Sequence, residues 1–268
     1  MFTRRQVLCA TGAAVALPTA GALAQFANAA DATEDGMDFQ ALLARRLTRE
    51  LDDRATASVL APYLADVGFD WSLPTAPAAQ FNSIVGYSFG NRPNAASGNT
   101  SSAGGNQAAL PDPGPINELL ADAVHAIYRS NPVQIYVQWE IQRFLVSKYG
   151  MTSSQVYSVE PIVAPDKSII YLSTDSVAAA IVAHAGGATQ LGKVAVVGHR
   201  DHAKRCIETS VGRGMSASAA KEVPLPVAYD PQSGQPWTRD RSLYLVHDMY
   251  AQLYVKTLTI TGQAFPNG

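Results

Sequence analysis

The sequence predicts an α/β protein of the three-layer, Rossmann-like class, with a mostly parallel sheet, helices on both faces and an N-terminal helical extension. Two observations lead to this prediction. Short runs rich in β-branched residues alternate with helical patterns from residue 81 onward, which is typical of a parallel sheet. Residues 194–197 (Val-Ala-Val-Val) are continuously apolar with a glycine near each end, as in a strand that is covered on both faces.

The N-terminal end carries the pattern of a targeting signal. An arginine pair at 4–5 precedes an alanine-rich apolar run over 7–24, and the small residues at 27–29 suit a cleavage site. This pattern predicts a twin-arginine-type signal peptide over residues 1–29, with 22–24 as a second cleavage site. The alternatives are a first helix of the fold and a membrane anchor, but glycine and proline interrupt the run and it is weakly apolar. The protein is therefore expected to be periplasmic or secreted.

Charge and composition limit the partners. Removing residues 1–29 leaves 18 Lys and Arg against 22 Asp and Glu, a net charge of −4 with histidine neutral. Because basic residues cluster only in pairs, nucleic acid and an anionic membrane surface are not expected as main partners. No second long apolar run follows the signal, so we expect no permanent membrane span in the mature chain. Cys206 would be the one remaining cysteine, which excludes a disulfide within the mature chain.

Residues 30–80 are predicted to form a helical extension ahead of the main domain. Apolar residues recur every three or four positions from Phe39 to Leu51, which indicates an amphipathic helix. A second helix is predicted over 56–67, followed by a proline-containing loop over 70–77. The alternative, a small separate helical lobe, is left open by the sequence.

Residues 81–268 form the predicted Rossmann-like domain. Its strands are expected at 81–89, 133–137, 155–159, 194–197 and 223–229. Its helices are expected at 115–128, 140–149, 175–184, 201–211 and 240–253. Two prolines in the last of these strands confine it to an edge or to one end of the sheet.

A long connection over residues 91–115 follows the first strand of this domain. It consists largely of Asn, Ser, Gly, Ala and Pro and is too polar to hold a core, so we expect a flexible loop. Loops of this length in compact domains are either lids over a binding site or disordered segments. The sequence leaves both alternatives open.

The candidate site lies at the carboxyl ends of the predicted strands, where open α/β sheets bind ligands. His202 and Arg205 are three residues apart on one helix face, directly after the strand at 194–197. A helix N-terminus and an arginine together favour an anion such as a phosphate or a carboxylate. The predicted ligand-binding residues at this edge are Gly86, Ser88, Glu140, Thr174, His199, His202 and Arg205. The alternative is structural: Arg205 would form an ion pair and His202 would cap a helix.

The same positions follow a known order of motifs. The first strand ends in a glycine-containing turn at 86–90, and Glu140 begins the helix after the second strand. An acidic residue, Glu160, comes next, and a Ser/Thr-rich helix start follows it at 173–176. A strand then leads to a histidine with an arginine three residues later, His202 and Arg205. In this order, residues 82–230 resemble the SanA/ElyC/YdcF-like family, although a Gln-Trp pair at 138–139 stands where the family has two glycines. The resemblance implies a Rossmann-like fold and a role in the cell envelope, and it implies no general reaction.

Three functions are compatible with these residues. The leading one is binding, with or without turnover, of a phosphorylated or nucleotide-like anionic small molecule, with His202 and Arg205 on its anionic part and Glu140 as acceptor or acid/base. The second is a metal-dependent hydrolase that uses His199, Asp201 and His202. The third is a non-catalytic envelope scaffold with a protein partner. The motifs of serine hydrolases, P-loop NTPases and dinucleotide-binding domains do not occur in the chain, and the sequence assigns no cofactor.

Overall fold

The computed structural model describes residues 38–97 and 108–265. The predicted signal peptide lies outside these residues, and so does the middle of the predicted flexible loop, 98–107. The chain divides into two compact units, with the boundary between Pro62 and Tyr63.

The two helices predicted near the N-terminus are confirmed. Helix α1 spans Phe39–Leu51 and helix α2 spans Arg54–Phe69. Asp52 adopts a left-handed backbone conformation with φ of 51°, which ends α1. Asp53 then accepts the backbone N–H of Thr56 at 3.0 Å, which supports the first turn of α2.

A parallel sheet forms the centre of the second unit. The strands of the described chain are β1 (Thr75–Ala76), β2 (Ser83–Gly86), β3 (Gln134–Gln138), β4 (Val156–Val159), β5 (Ile162–Val163), β6 (Ile169–Ile170), β7 (Lys193–Val197) and β8 (Ser216–Ala220). Six of them form one sheet in the order β1-β8-β7-β2-β3-β4, with every neighbouring pair parallel, while β5 and β6 form a separate antiparallel pair. Strand β2 therefore lies in the interior of the sheet, between β7 and β3.

Helices cover both faces of this sheet. The remaining helices are α3 (Pro115–Ser130), α4 (Trp139–Tyr149), α5 (Thr174–His184), α6 (Arg200–Gly212) and α7 (Arg241–Ala264). Apolar residues of α3 and α4 pack in one cluster, and those of α5 and α6 pack in another. The predicted three-layer α/β class is confirmed. Within residues 38–97 and 108–265, no helix combines the length and the apolar character that a membrane crossing requires.

The apolar run at 194–197 explains why the sheet is covered on both sides. All four residues are fully buried. Ala195 and Val197 belong to the cluster under α3 and α4, whereas Val194 and Val196 belong to the cluster under α5 and α6. Because successive side chains of a strand point to opposite faces, a strand of this kind must be apolar at every position.

The last predicted strand is wrong. Residues 223–229, all of which the structure describes, run as a loop, and Pro226 offers its carbonyl oxygen to the N–H of Arg200 at 2.8 Å. Two prolines remove two of the N–H groups that a strand would donate to its neighbours. The strand that the sequence did not indicate is β8, whose Ser and Ala side chains have little β-propensity but pair with β7 and β1. The sheet also begins before residue 81, because β1 pairs with β8.

The described ends of the 91–115 connection are fastened to the rest of the second unit. Arg92 and Asp112 exchange two backbone hydrogen bonds of 2.8 Å. The Arg92 guanidinium also donates to the buried carboxylate of Asp230, with Nε 2.8 Å from Oδ2. These contacts fix where the connection leaves and rejoins the domain.

Candidate functional site

A cavity of about 270 Å³ lies at the carboxyl edge of the sheet. Ser88 follows β2, Thr174 begins α5, and His202 and Arg205 lie on α6, and all four line this cavity. The sequence predicted all four of these residues as ligand-binding. The wall is completed by aromatic and polar side chains that include Phe89, Gln138, Tyr171, Trp237, Tyr244 and His247.

Arg205 is held in the wall of the cavity by an ion pair. Its Nε donates to Oδ1 of Asp248 at 2.6 Å, and the Asp248 side chain is fully buried. Its Nη1 donates to Oγ1 of Thr174 at 3.0 Å and its Nη2 to the hydroxyl of Tyr244 at 3.2 Å. A buried carboxylate requires such a partner, so the ion pair holds the guanidinium in one orientation. Arg205 therefore forms the structural ion pair that was considered as its alternative role, and it also lines the cavity.

His202 is linked to the same carboxylate through Tyr244. The Tyr244 hydroxyl lies 2.5 Å from Nδ1 of His202 and donates to Oδ1 of Asp248 at 3.0 Å. We assign the single proton of the hydroxyl to the carboxylate, so that Nδ1 of His202 is protonated and donates to Tyr244, although Nη2 of Arg205, 3.5 Å from the same Nδ1, favours the other tautomer. The other ring nitrogen, Nε2, is then an acceptor and lies 3.4 Å from Oγ1 of Thr174. Gln252 completes the chain by donating to Oδ2 of Asp248 at 2.8 Å.

The His202 ring is neutral at physiological pH. Burial, together with the nearby guanidinium of Arg205, lowers the pKa of His202 well below its ordinary value. A neutral imidazole with an unprotonated Nε2 can accept a hydrogen bond from a bound molecule in place of the Thr174 hydroxyl.

The three other residues predicted for the site lie elsewhere. His199 is buried, with its ring stacked on Phe89 at 4.1 Å, and it begins α6 by accepting the N–H of Asp201 at 3.3 Å. Burial lowers the pKa of His199 to about 4, so its ring is neutral. Gly86 allows β2 to pack closely on β3, because an added Cβ would lie 2.6 Å from Cγ1 of Val137.

Glu140 lies in the first turn of α4, buried in the protein interior. Burial raises the pKa of Glu140 to about 8, although the side chain of Ser88 favours the charged form. Among the described residues, Oε2 of Glu140 has no hydrogen-bond partner. Glu140 is therefore a buried acid that is mostly protonated at pH 7, and its carboxyl group interacts with the side chain of Ser88 in the cavity wall.

The sequence did not indicate the contribution of α7. Apolar residues recur on this helix at helical spacing, at Leu243, Val246, Tyr250 and Leu253, but all four are exposed, with 67% exposure at Val246 and 69% at Tyr250. The buried face instead carries Tyr244, Asp248 and Gln252. Their spacing of four residues places them on one side of a helix, and this polar repeat was the available signal.

The three residues considered for a metal site have separate partners. Nε2 of His199 lies 3.1 Å from the carbonyl oxygen of Ala228, and Asp201 accepts from Arg241 at 2.9 Å. His202 faces Tyr244. Across the part of the chain that the structure describes, no group of three His, Cys, Asp or Glu side chains is arranged to hold a metal ion. The geometry therefore gives no support to the hydrolase alternative.

Comparison with protein family models, with curated proteins and with solved structures finds no match for this chain.

Proposed function

We propose that this protein binds a small anionic molecule, phosphorylated or carboxylated, in the cavity beside Arg205. The observation that carries the proposal is the charge of the wall: among the described residues that line the cavity, Arg205 is the only one with a formal charge. Its neutralising partner, Asp248, is buried behind it. An anion entering the cavity therefore meets a guanidinium and no facing carboxylate.

Arg205 retains hydrogen-bonding capacity for a ligand. Its Nε–H and one N–H of each terminal nitrogen are used by Asp248, Thr174 and Tyr244. The second N–H of Nη1 is left and can donate to an oxygen of a phosphate or a carboxylate, whereas Nη2 also lies 3.5 Å from Nδ1 of His202.

The start of α5 adds to the attraction for an anion. Ser173 and Thr174 line the cavity at the N-terminus of this helix, where backbone N–H groups and the helix dipole favour negative charge. The acidic residue of the first turn, Asp175, is paired with Arg213. The aromatic rings of Phe89 and Trp237 also line the cavity and suit an apolar or ring-containing part of the ligand.

We also propose that the protein is exported and that it belongs to the SanA/ElyC/YdcF-like envelope family. The arginine pair, the apolar run and the small residues within 1–29 support a twin-arginine signal and a periplasmic or secreted location. The resemblance to the SanA/ElyC/YdcF-like family is supported by the grouping of its motif positions, since Ser88, Thr174, His202 and Arg205 border one cavity.

Calorimetric titration with phenyl phosphate tests the binding function. Arg205→Lys keeps the charge but loses the planar fork of donors, so we expect affinity to fall at least about tenfold. Arg143→Lys is the matched control, because Arg143 lies on the surface and pairs with Glu160 outside the cavity. Its affinity should stay within about twofold of the wild type, and circular dichroism should show both variants folded.

Two results would contradict the proposal. One is a wild-type protein that binds neither phenyl phosphate nor benzoate at millimolar concentration, and the other is equal affinity in the two arginine variants. Native mass spectrometry of the protein exported by its own host addresses the scaffold alternative. A retained small anion supports binding, whereas an empty protein that crosslinks to an envelope protein favours a scaffold.

A further inference from the structure

A second and larger cavity adjoins the anion pocket. It measures about 880 Å³ and runs between α6 and the C-terminal half of α7. Its apolar lining comes from Val211 on α6 and from Tyr254, Val255, Leu258 and Ile260 on α7. Several of these side chains are exposed, including Val211 at 52% and Leu258 at 55%. A contiguous apolar surface of this kind is typical of a binding site.

The two cavities share part of their walls. Ser173, Thr174 and Arg205 line both the anion pocket and the apolar groove. The groove therefore begins at the guanidinium that is proposed to hold the anion.

The charged residues along the groove are already paired with one another. Arg213 forms an ion pair with Asp175, and Lys256 lies 3.5 Å from Glu208 and 2.5 Å from Asp66. These pairs leave the apolar side chains as the surface that a ligand would contact. Arg205, whose partner Asp248 lies behind it, is the cation at the junction with the pocket.

We infer that the ligand is an amphiphile, with its anionic head at Arg205 and a single alkyl or acyl chain along the α6–α7 groove. This inference rests on the proposed function and adds the chemical class of the ligand. A chain-bearing phosphate or carboxylate matches both the guanidinium and the apolar surface that continues from it. A second copy of this chain would cover the apolar surface but would not explain its continuity with a cationic pocket.

Titration with a series of alkyl phosphates tests the inference on the full-length mature protein. Inorganic phosphate, butyl phosphate, octyl phosphate and dodecyl phosphate are compared by calorimetry below their critical micelle concentrations. Affinity should rise by up to about fourfold for each methylene that the groove removes from water. An affinity independent of chain length would overturn the inference.

Substitutions in the groove separate it from the pocket. Leu258→Asp, in a half-exposed position, should remove most of the gain from butyl to dodecyl phosphate while leaving the affinity for inorganic phosphate unchanged. Val246→Asp is the matched control, since Val246 is exposed on the same helix but lies outside the groove lining. A chain-length dependence that survives Leu258→Asp would show non-specific adsorption and would overturn the inference.

The outcomes distinguish this inference from the proposed function. If inorganic phosphate and butyl phosphate bind through Arg205 with no gain for longer chains, the pocket stands and the amphiphile does not. If none of the four phosphates binds, the proposed function fails as well. If Leu258→Asp converts a dimer to a monomer and no chain-length gain is seen, the groove is an interface between copies and the inference is wrong.

Discussion

Replacing Asp248 with asparagine tests whether the site is built around a buried ion pair. The Asp248 carboxylate is fully buried and accepts hydrogen bonds from Arg205 at 2.6 Å, Tyr244 at 3.0 Å and Gln252 at 2.8 Å. Asp248→Asn keeps the shape of the side chain but leaves the guanidinium without its counter-charge. Removing one partner of a buried pair costs about 3–5 kcal/mol. Because the Arg205 side chain is 14% exposed, we expect a loss near the lower limit, about 3 kcal/mol.

Urea unfolding at pH 7, followed by tryptophan fluorescence, measures this loss. With an m-value of about 2–3 kcal/mol per molar urea, the midpoint should fall by about 1 M or more. Arg143→Gln is the control, because the Arg143–Glu160 pair is exposed on both sides and should be worth less than about 1 kcal/mol.

A double-mutant cycle separates the ion pair from general disruption. Arg205→Gln and Asp248→Asn each leave a buried group without its partner, so the double variant should be more stable than the sum of the two losses predicts. The reasoning is refuted if Asp248→Asn costs less than about 1 kcal/mol at an unchanged m-value, or if the two losses simply add.

Three further predictions concern Glu140, Gly86 and Tyr244. Because burial raises the pKa of Glu140 to about 8, the folded state holds a proton that the unfolded state releases near pH 4.5, so the free energy of unfolding should fall as pH rises from about 4.5 to about 8. Urea unfolding across this pH range should show that Glu140→Gln removes the fall. An equal dependence of stability on pH in the wild type and the variant would contradict the prediction. Gly86→Ala places a Cβ 2.6 Å from Cγ1 of Val137 and should cost about 1–3 kcal/mol by thermal unfolding, whereas an unchanged melting temperature would mean that β3 yields freely. Tyr244→Phe removes the acceptor of the Nδ1 proton, so the ¹⁵N shifts of the His202 ring should move toward the other tautomer, and unaltered shifts would argue against the assigned network.

The fold class was predictable because strands that are buried on both faces of a sheet appear in the sequence as continuous apolar runs. A strand such as β7 must be apolar at each buried position, here residues 194–197, and the helices beside it carry apolar faces. Strand β8 has no such apolar run. Its Ser and Ala residues form a strand because they pair with β7 and β1, which is a tertiary effect that local propensity does not predict. The apolar segment at 223–229 had the composition of a strand, but its prolines exclude it from the ladder.

The candidate site was predictable only where strand ends determine it. Ser88 follows strand β2 of the parallel sheet, and His202 and Arg205 lie on the helix that follows strand β7, so these three converge at one edge. Thr174 reaches the same cavity from the start of α5, after the separate antiparallel pair of β5 and β6. The contribution of α7 depends on a contact between Arg205 and Asp248, which are 43 positions apart, and no local pattern specifies such a contact. The burial of Glu140 could not be predicted from the sequence either, since burial of a carboxyl group depends on packing from distant elements.

The bridge between Arg92 and Asp112 has a consequence for how the chain tolerates change. Its two backbone hydrogen bonds of 2.8 Å bring the start and the end of the connection side by side. Once those ends are fixed, the free energy of closure depends only weakly on what joins them, about 0.6 kcal/mol for each doubling of length. On this estimate, a change in the number of residues between Arg92 and Asp112 costs the domain little free energy of closure, provided that the hydrogen bonds at the two ends and the contact of Arg92 with Asp230 are kept. The contacts at the ends of the connection, rather than its length, then hold the edge of the sheet that carries Ser88 in position.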